Sequence, residues 1–482
     1  MDTPNEDAKL NASPNGPASN AGFLEKRFAI RARGSTVGRE VVGGLATFLT
    51  LSYILFVQPA VMGAAARDET PAFHASVLTA VCLASALACL LMGLLANFPV
   101  ALAPAMGHNF FFAYIVCLGM GFTWQQALTA NLIAGVMFLA LSLLGRLSSR
   151  LDVRTLLFYA IPASLRNAIG VGIGLLIAVV GLKYAGVVLA APGVGLALGI
   201  GKVPWTPVIV TAVGLAVFGV LWARKIMGAP LWAILASALT GAALGIVRMP
   251  EQVTAAPTLW ATAFHLDFSG LFQLKAEAVL VVIATFLFLV VFDTVGTLAA
   301  VCQRAHLVSP DGKIDKGIVP AFIADAGGTV AGALLGTSTI TSYVESLSGI
   351  QAGARTGLAA VVVAGLFVLA VFFSPLFAVV AAPYMLPGEA APVYPCLAAV
   401  LIGIGALMMS VVRQIEWDDA TEALPAFLCM IMMPLTLSIT DGIAVGFISH
   451  VVLKVLSGRW REVHLFIAVC AVLLAARYVY LM

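Results

Sequence analysis

Apolar runs near or above the roughly 17 to 25 residues needed to cross a bilayer recur from one end of this chain to the other, as at 75–97, 123–144 and 356–376. In lipid every backbone N–H and C=O must find its partner within the protein, so such segments form helices. Of 482 residues, 61% are hydrophobic and 10% charged, too little polar surface to coat a soluble body of that size. The expectation is an all-α polytopic membrane protein whose partner is the lipid bilayer. Cys82, Cys89, Cys117, Cys302, Cys396, Cys429 and Cys470 lie mostly inside apolar runs without CxxC spacing. They read as small buried hydrophobes, implying neither a disulfide framework nor a metal site.

Candidate spans fall at about 40–62, 75–97, 105–119, 124–146, 164–186, 205–223 and 229–247, then 276–300, 318–336, 343–351, 356–377, 394–413, 425–438 and 441–457. That is seven and then seven. Residues 1–38, rich in Asn, Pro, Ala and Asp and without a signal-peptide apolar region, read as a disordered tail. Residues 248–275 read as an external linker, and 464–482 as an extra apolar segment, either a span or an interfacial helix. Lys and Arg favour cytoplasmic loops. Lys26, Arg27, Arg31, Arg33 and Arg39 precede the first span, and Arg146, Arg150 and Arg154 follow the fourth. Arg224 and Lys225, then Arg304, Lys313 and Lys316, then Arg413, Arg459 and Arg461 keep the alternation, while loops 378–393 and 439–440 carry neither residue. The N-terminus is expected in the cytoplasm, in a multi-pass protein of the plasma (inner) membrane.

The two halves, 39–247 and 276–463, echo each other. ATFLTLSYILFV from Ala46 aligns with ATFLFLVVFDTV from Ala284, ANLIAGVMFLALSLLG from Ala130 with AVVVAGLFVLAVFFSP from Ala360, and VGIGLL from Val171 with IGIGAL from Ile402. The three pairs fall in order at nearly one offset. An odd number of spans per repeat inverts the second copy. Inverted repeats are a construction of secondary transporters, which bind substrate near the midplane where broken helices meet.

Each half has such a break. In FPVALAPAMGHNFFFAYIV (98–116), Pro99, Pro104 and Gly107 delay the helix until about His108. In GTSTITSYVESLSGIQAG (336–353), the run Thr337 to Ser342 favours extended chain and a helix can begin only near Tyr343. Non-helical backbone at that depth is tolerated only where it is buried or lines a polar cavity, and the hydroxyls are suited to satisfying freed backbone groups. Glu345 is expensive at the centre of a span, about 2.5 to 3.5 kcal/mol on insertion scales, and so reads as functional. Asp293 in LVVFDTVGTL, with Thr297 one turn on along the same face, reads the same way. Asp325 in FIADAGGTVAGALLG divides evenly between function and helix pairing. His108 reads as a polar lining residue, since no second His or Cys stands at ligand spacing. Gly327, Gly328, Gly332 and Gly336 read as a close-packing stripe.

REVVGGLATFLTLSYILFVQPAVM, APAMGHNFFFAYIV, FDTVGTL, ADAGGTVAGALLGTSTITSYVESLSGIQAGARTGL and the segment EWDDATEALPAFLC onward resemble the AzgA-like hypoxanthine, guanine and adenine permeases. These belong to the nucleobase–cation symporter group with the uracil and xanthine permeases. The resemblance covers about Arg39 to Arg461. It implies the uracil-permease type of fold: fourteen spans in two inverted repeats, a core domain of spans 1–4 and 8–11, and a gate domain of spans 5–7 and 12–14. By motif match Asp293 and Glu345 take the places of the family's two substrate-binding acids, and Asn109 that of its span-3 polar residue. Two positions depart from the pattern: AMGHN stands where GMGLN is usual, and Gln58-Pro59 where Asn-Pro is usual.

These groups suit a purine. Hypoxanthine offers an N1–H beside a carbonyl, and guanine adds a 2-amino donor, so one carboxylate can accept from both. Glu345 fits that role, flanked by Val344 and Ser346 in the expected binding set, while Phe110 and Tyr343 can wall the ring. The expected function is purine import by proton symport, with Asp293 the preferred proton carrier and Asp325 the second candidate. The alternatives are xanthine or uracil as substrate and sodium as coupling ion. An anion carrier of the same fold would be hindered by two carboxylates. No nucleophile and base set, metal cluster or cofactor motif marks an enzyme. Neither a cofactor nor a nucleic-acid partner is expected, and a homodimer stays open.

Overall fold

The computed structural model describes residues 22–68, 70–147, 161–190, 198–200, 205–247, 252–305, 318–381, 383–386 and 392–481. The expectations for residues 1–21 and for the 306–317 loop lie outside them. Among the described residues, ten helices are long and apolar enough to cross a membrane.

The first half begins with α1 (Phe23–Phe28), α2 (Val37–Leu51), α3 (Ile54–Ala66) and α4 (Pro71–Leu91), the last widening into a π-helical turn to Ala96. Two differences from the sequence reading appear at once. Residues 22–38 are not a disordered tail, because Phe28 and Ile30 are buried against Leu358 and Asn97 Nδ2 donates to the Phe28 carbonyl at 2.9 Å. The first span is one span, Val37–Ala66, but its α-helix is interrupted by a turn at Ser52 and Tyr53, and Pro59 lies inside the second piece. Next come β1 (Leu102–Pro104), α5 (Met106–Phe110, running on as π-helix to Gly119), α6 (Trp124–Leu147) and α7 (Ala163–Tyr184). A small hairpin of β2 (Val188–Ala190) and β3 (Leu198–Ile200) precedes α8 (Trp205–Ala223) and α9 (Ala229–Ala243).

The linker is a strap across helix ends rather than a free loop. Ala255 N donates to Phe372 O at 3.0 Å, Phe264 N to Leu334 O at 2.7 Å, and Asp267 N to Thr129 Oγ1 at 2.9 Å. It carries α10 (Phe268–Gln273) into α11 (Ala276–Arg304), α12 (Ile318–Leu335), β4 (Ile340–Ser342) and α13 (Ser346–Gln351). Then follow α14 (Gly357–Ala370), α15 (Ser374–Val380), α16 (Pro395–Met408), α17 (Ala420–Thr436), α18 (Ile439–Leu456) and α19 (Leu465–Leu481). Starts carry side-chain caps where the sequence supplies them: Thr36, Thr70, Thr356, Asp419 and Ser438 each accept a backbone N–H of their first turn.

The helices pack in two groups. One joins α2, α3, α4, α6, α11, α12 and α14; the other joins α7, α8, α9, α16, α17 and α18, with α19 against α18. The glycine stripe does what small residues do between helices: a Cβ on Gly328 would sit 2.8 Å from Ala88 Cβ of α4, and one on Gly332 would sit 2.9 Å from the Ser338 carbonyl.

The two broken segments meet as a two-stranded antiparallel ladder, Leu102 opposite Ser342, Ala103 opposite Thr341 and Pro104 opposite Ile340. Ala105 N donates to Thr339 O at 3.0 Å and Tyr343 N to Ala101 O at 2.9 Å, extending the ladder at both ends. That pairing shifts both helix starts from the expected places. α5 begins at Met106, ahead of His108, and α13 begins at Ser346, after Tyr343, because residue 343 still belongs to the ladder.

Candidate functional site

The ladder carries the site's polar groups to each other. Side chains alternate across a strand, and β4 uses the alternation to reach two helices. Thr341 Oγ1 donates to Asp293 Oδ2 on α11 at 2.8 Å. The next residue, Ser342, donates to Asp325 Oδ2 on α12 twice, from its N–H at 2.8 Å and its hydroxyl at 2.6 Å. Thr294 Oγ1 stands 2.8 Å from Asp325 Oδ1. Asp325 is fully buried with both oxygens engaged, whereas the Asp293 side chain is 41% exposed and has one hydroxyl on one oxygen. His108 Nδ1 lies 3.9 Å from Asp293 Oδ2.

Upstream of β4 the hydroxyls turn toward the first half. Gln58 Nε2 donates to Thr337 Oγ1 at 3.1 Å and to Ser338 Oγ at 3.0 Å. Ser338 Oγ in turn donates to Asn109 Oδ1, and Thr339 Oγ1 donates to Asn131 Oδ1 at 2.6 Å. The sequence reading assigned these hydroxyls to freed backbone groups; in the fold they bind mainly side chains, the backbone being satisfied by the ladder itself. Asn109 Nδ2 and His108 Nε2 are left buried without a hydrogen-bond partner.

Glu345 stands just ahead of α13, half-buried. Its Oε1 accepts from Tyr53 Oη at 2.9 Å, across the break between α2 and α3. Tyr343 is buried and donates to the Pro104 carbonyl. Phe110 is buried and stacked on Tyr114, with centroids 5.7 Å apart. Ser346 is buried as a ladder end, its Oγ accepting from Ala101 N at 3.0 Å, while Val344 is exposed. Thr297 is buried one turn from Asp293, but Thr294 is the threonine of α11 that bonds a site carboxylate.

The structure therefore brings Asp293, Asp325, Asn109 and His108 around β4, with Glu345 beyond its end. It adds Tyr53, Gln58, Asn131 and Thr341, none of which the sequence reading placed in the binding set. Gln58 carried the one available signal, its departure from the Asn-Pro pattern; Tyr53 carried none, since a tyrosine in LTLSYILFV reads as packing. Chemically the site offers carboxylate acceptors at Glu345 and Asp293 and an amide donor at Asn109, a set that matches a neutral, planar ligand with both donors and acceptors.

Comparison with known proteins agrees with this architecture. An adenine permease of Escherichia coli K12 is 39% identical over 463 residues, covering 96% of this chain and 97% of its own. A guanine/hypoxanthine permease of Bacillus subtilis 168 is 41% identical over 435 residues, covering 89% and 94%. Among solved structures, the transmembrane domain of the cyanobacterial bicarbonate transporter BicA superposes with a TM-score of 0.59 at 15% identity, over 85% of this chain and 97% of that one. This shared fold is one of inverted repeats, which the transmembrane helices here follow. The sequence model of the Permease family matches residues 38–445, and the chain belongs to that family.

Proposed function

We propose that this chain imports purine nucleobases, in the hypoxanthine, guanine and adenine class, as a secondary active transporter driven by protons. The observation that carries the reading is the Glu345 carboxylate, half-buried just ahead of α13 and oriented by the Tyr53 hydroxyl at 2.9 Å, which supplies an acceptor for ligand N–H groups. Asn109 Nδ2, buried and without a partner, is a donor for a ring nitrogen or carbonyl. The named activities of the adenine and guanine/hypoxanthine permeases, at about two-fifths identity over nearly the whole chain, support the same class.

Asp293 is the group we assign to proton coupling. Its side chain is 41% exposed with a hydroxyl on Oδ2, so a proton can reach it from the cavity, whereas Asp325 is fully buried behind Ser342 and Thr294. Alternating access is motion of the helix group holding the ladder against the group of α7, α8, α9 and α16 to α18, with the N-terminus cytoplasmic. Uptake of labelled hypoxanthine, competed by adenine, guanine, xanthine and uracil with and without an imposed pH gradient, tests the reading. Competition by the purines with gradient-dependent accumulation is expected. Accumulation that follows sodium and ignores pH would replace the coupling ion, and competition by uracil alone would replace the substrate.

A further inference from the structure

We infer that Tyr114 and Tyr184 form the outer gate of the transport path, their hydroxyl pair holding the site closed to the outside; the assignment rests on the alternating-access reading and on the orientation given above. Tyr114 belongs to the helix that leaves the ladder and carries Asn109, and Tyr184 is the last residue of α7 in the other helix group. Their hydroxyls stand 2.9 Å apart across 70 positions of sequence. The bond therefore joins the unit that holds the site to the unit it moves against.

The depth suits a gate. α5 starts at the end of β1 and runs toward residues 120–123, so Tyr114, five residues beyond Asn109, lies about 7 Å further out by helical rise. With the loop of Arg146, Arg150 and Arg154 in the cytoplasm, α7 runs outward to Tyr184. Phe110, next to Asn109, stacks on Tyr114 with centroids 5.7 Å apart, and Tyr184 packs on Tyr394 at 4.7 Å. Tyr394 N donates to the Tyr184 carbonyl at 3.1 Å, which ties the start of α16 to the end of α7. Tyr184 and Tyr394 are buried and Tyr114 is half-buried. A file of rings thus reaches from the residue beside Asn109 to the outer ends of α7 and α16, and its middle link is the hydroxyl pair. The rings supply the bulk that blocks the path. The hydroxyls exchange their mutual bond for bonds to water when the groups part, so the pair adds to the closed state only the small net worth of one hydrogen bond. A tyrosine present for packing alone behaves differently, because Tyr→Phe keeps the ring and leaves access unchanged.

The test is the rate at which a membrane-impermeant thiol reagent, added outside intact cells, modifies Gly107→Cys, with the modified residue identified by peptide mass. Position 107 lies on the site side of the pair, where α5 faces Ile173 of α7 and Ile439 of α18 across the same seam. Tyr114→Phe and Tyr184→Phe are each expected to speed modification about fivefold, the worth of one ordinary hydrogen bond. The double variant is expected to be no faster than the single ones, because each removes the same bond. Unchanged rates in both single variants, or effects that multiply in the double, overturn the assignment. Acceleration only from the cytoplasmic face, in inverted vesicles, overturns the outer placement. Should Gly107→Cys not yield folded protein, uptake kinetics of external hypoxanthine in the two Phe variants decide. A gate that stands open more often raises the fraction of carriers able to bind from outside and slows the closure that must follow, so KM and kcat are expected to fall together, KM by up to about fivefold. A KM that stays or rises overturns the gate. Labelling that follows the expected pattern in a protein that carries no hypoxanthine would refute the substrate reading and uphold the gate.

Discussion

Asp325→Asn is expected to fold and to keep coupled uptake, whereas Asp325→Ala is expected to fail, and the reason lies in one shared proton. Thr294 Oγ1 lies 2.7 Å from the Val290 carbonyl and 2.8 Å from Asp325 Oδ1, yet it has a single hydrogen and can serve only one of them at a time. In the asparagine variant Thr294 donates to Val290 and accepts from the new NH2, while the remaining amide oxygen keeps both bonds from Ser342. Every group stays paired, so the cost is expected within about 1 kcal/mol. Alanine instead strands the Ser342 N–H and hydroxyl inside the protein. At about 1 to 3 kcal/mol for each buried unsatisfied group, the loss is roughly 2 to 6 kcal/mol, enough to release β4. Thermal unfolding in detergent should place wild type and Asp325→Asn together and Asp325→Ala far below. Hypoxanthine accumulation under an imposed pH gradient should survive in the asparagine variant. An asparagine variant that melts with the alanine one would show that charge, not hydrogen bonding, holds the strand. One that folds, binds and no longer accumulates substrate would move the coupling proton to Asp325.

Asp293→Asn is expected to retain substrate binding but lose gradient-driven accumulation, since the amide accepts from Thr341 without titrating; concentrative, pH-dependent uptake by this variant would remove Asp293 from coupling. For topology, a thiol-directed label applied outside intact cells is expected to reach Ala390→Cys and not Gly312→Cys, and the reverse pattern would invert the assigned orientation. At the base of α17, the Thr421 hydroxyl and N–H, and then the Arg459 guanidinium, hold the Asp419 carboxyl below the usual carboxylate range. A depressed folded value contributes stability that is fully present above the unfolded value of about 3.9 and lost only as pH falls through the folded one. Asp419→Asn should therefore lower thermal stability equally at pH 5.5 and 7.5 and leave the pH profile of uptake unmoved, a result checked by unfolding and uptake at both pH values.

How much could be read beforehand follows from the range of each interaction. Spans are local: an apolar run and its caps are written in consecutive residues, and α4, α6, α11, α12 and α14 lie where hydropathy puts them. The two breaks were legible for the same reason, through Pro99, Pro104 and the hydroxyl run from Thr337. The helix starts beyond them were not, because they depend on where the ladder ends, and the ladder pairs residues more than two hundred positions apart. The interruption in the first span was hidden because Ser52 and Tyr53 carry no strong turn signal, and a proline such as Pro59 is tolerated within a membrane helix. The partners Tyr53, Gln58 and Asn131 reach across the ladder to residues of the other half. In this sequence alone they are polar side chains in apolar surroundings, indistinguishable from helix glue.

The same network bears on how such a carrier moves. β4 is tied to α11 by Thr341 and to α12 by Ser342, and the residues leading into it are tied to α3 and α5 by Ser338, through Gln58 and Asn109, and to α6 by Thr339. A displacement of any one of these helices against the ladder breaks buried hydrogen bonds with no water to replace them. The site and its helix group therefore have to move as a unit. Among the described residues, two contacts between the groups are of another kind: Gly107 of α5 leaves room for Ile173 of α7 and Ile439 of α18, so that an added Cβ would lie 3.3 to 3.4 Å from their methyl groups. The Tyr114 hydroxyl meets that of Tyr184 at 2.9 Å. A glycine facing apolar side chains can slide with little energetic penalty, and a single hydroxyl pair can separate and be rehydrated in a cavity. The cooperative, many-partnered hydrogen bonds thus lie within the unit that holds the base, and the replaceable ones lie at its boundary, which is the distribution that rigid-body alternating access requires.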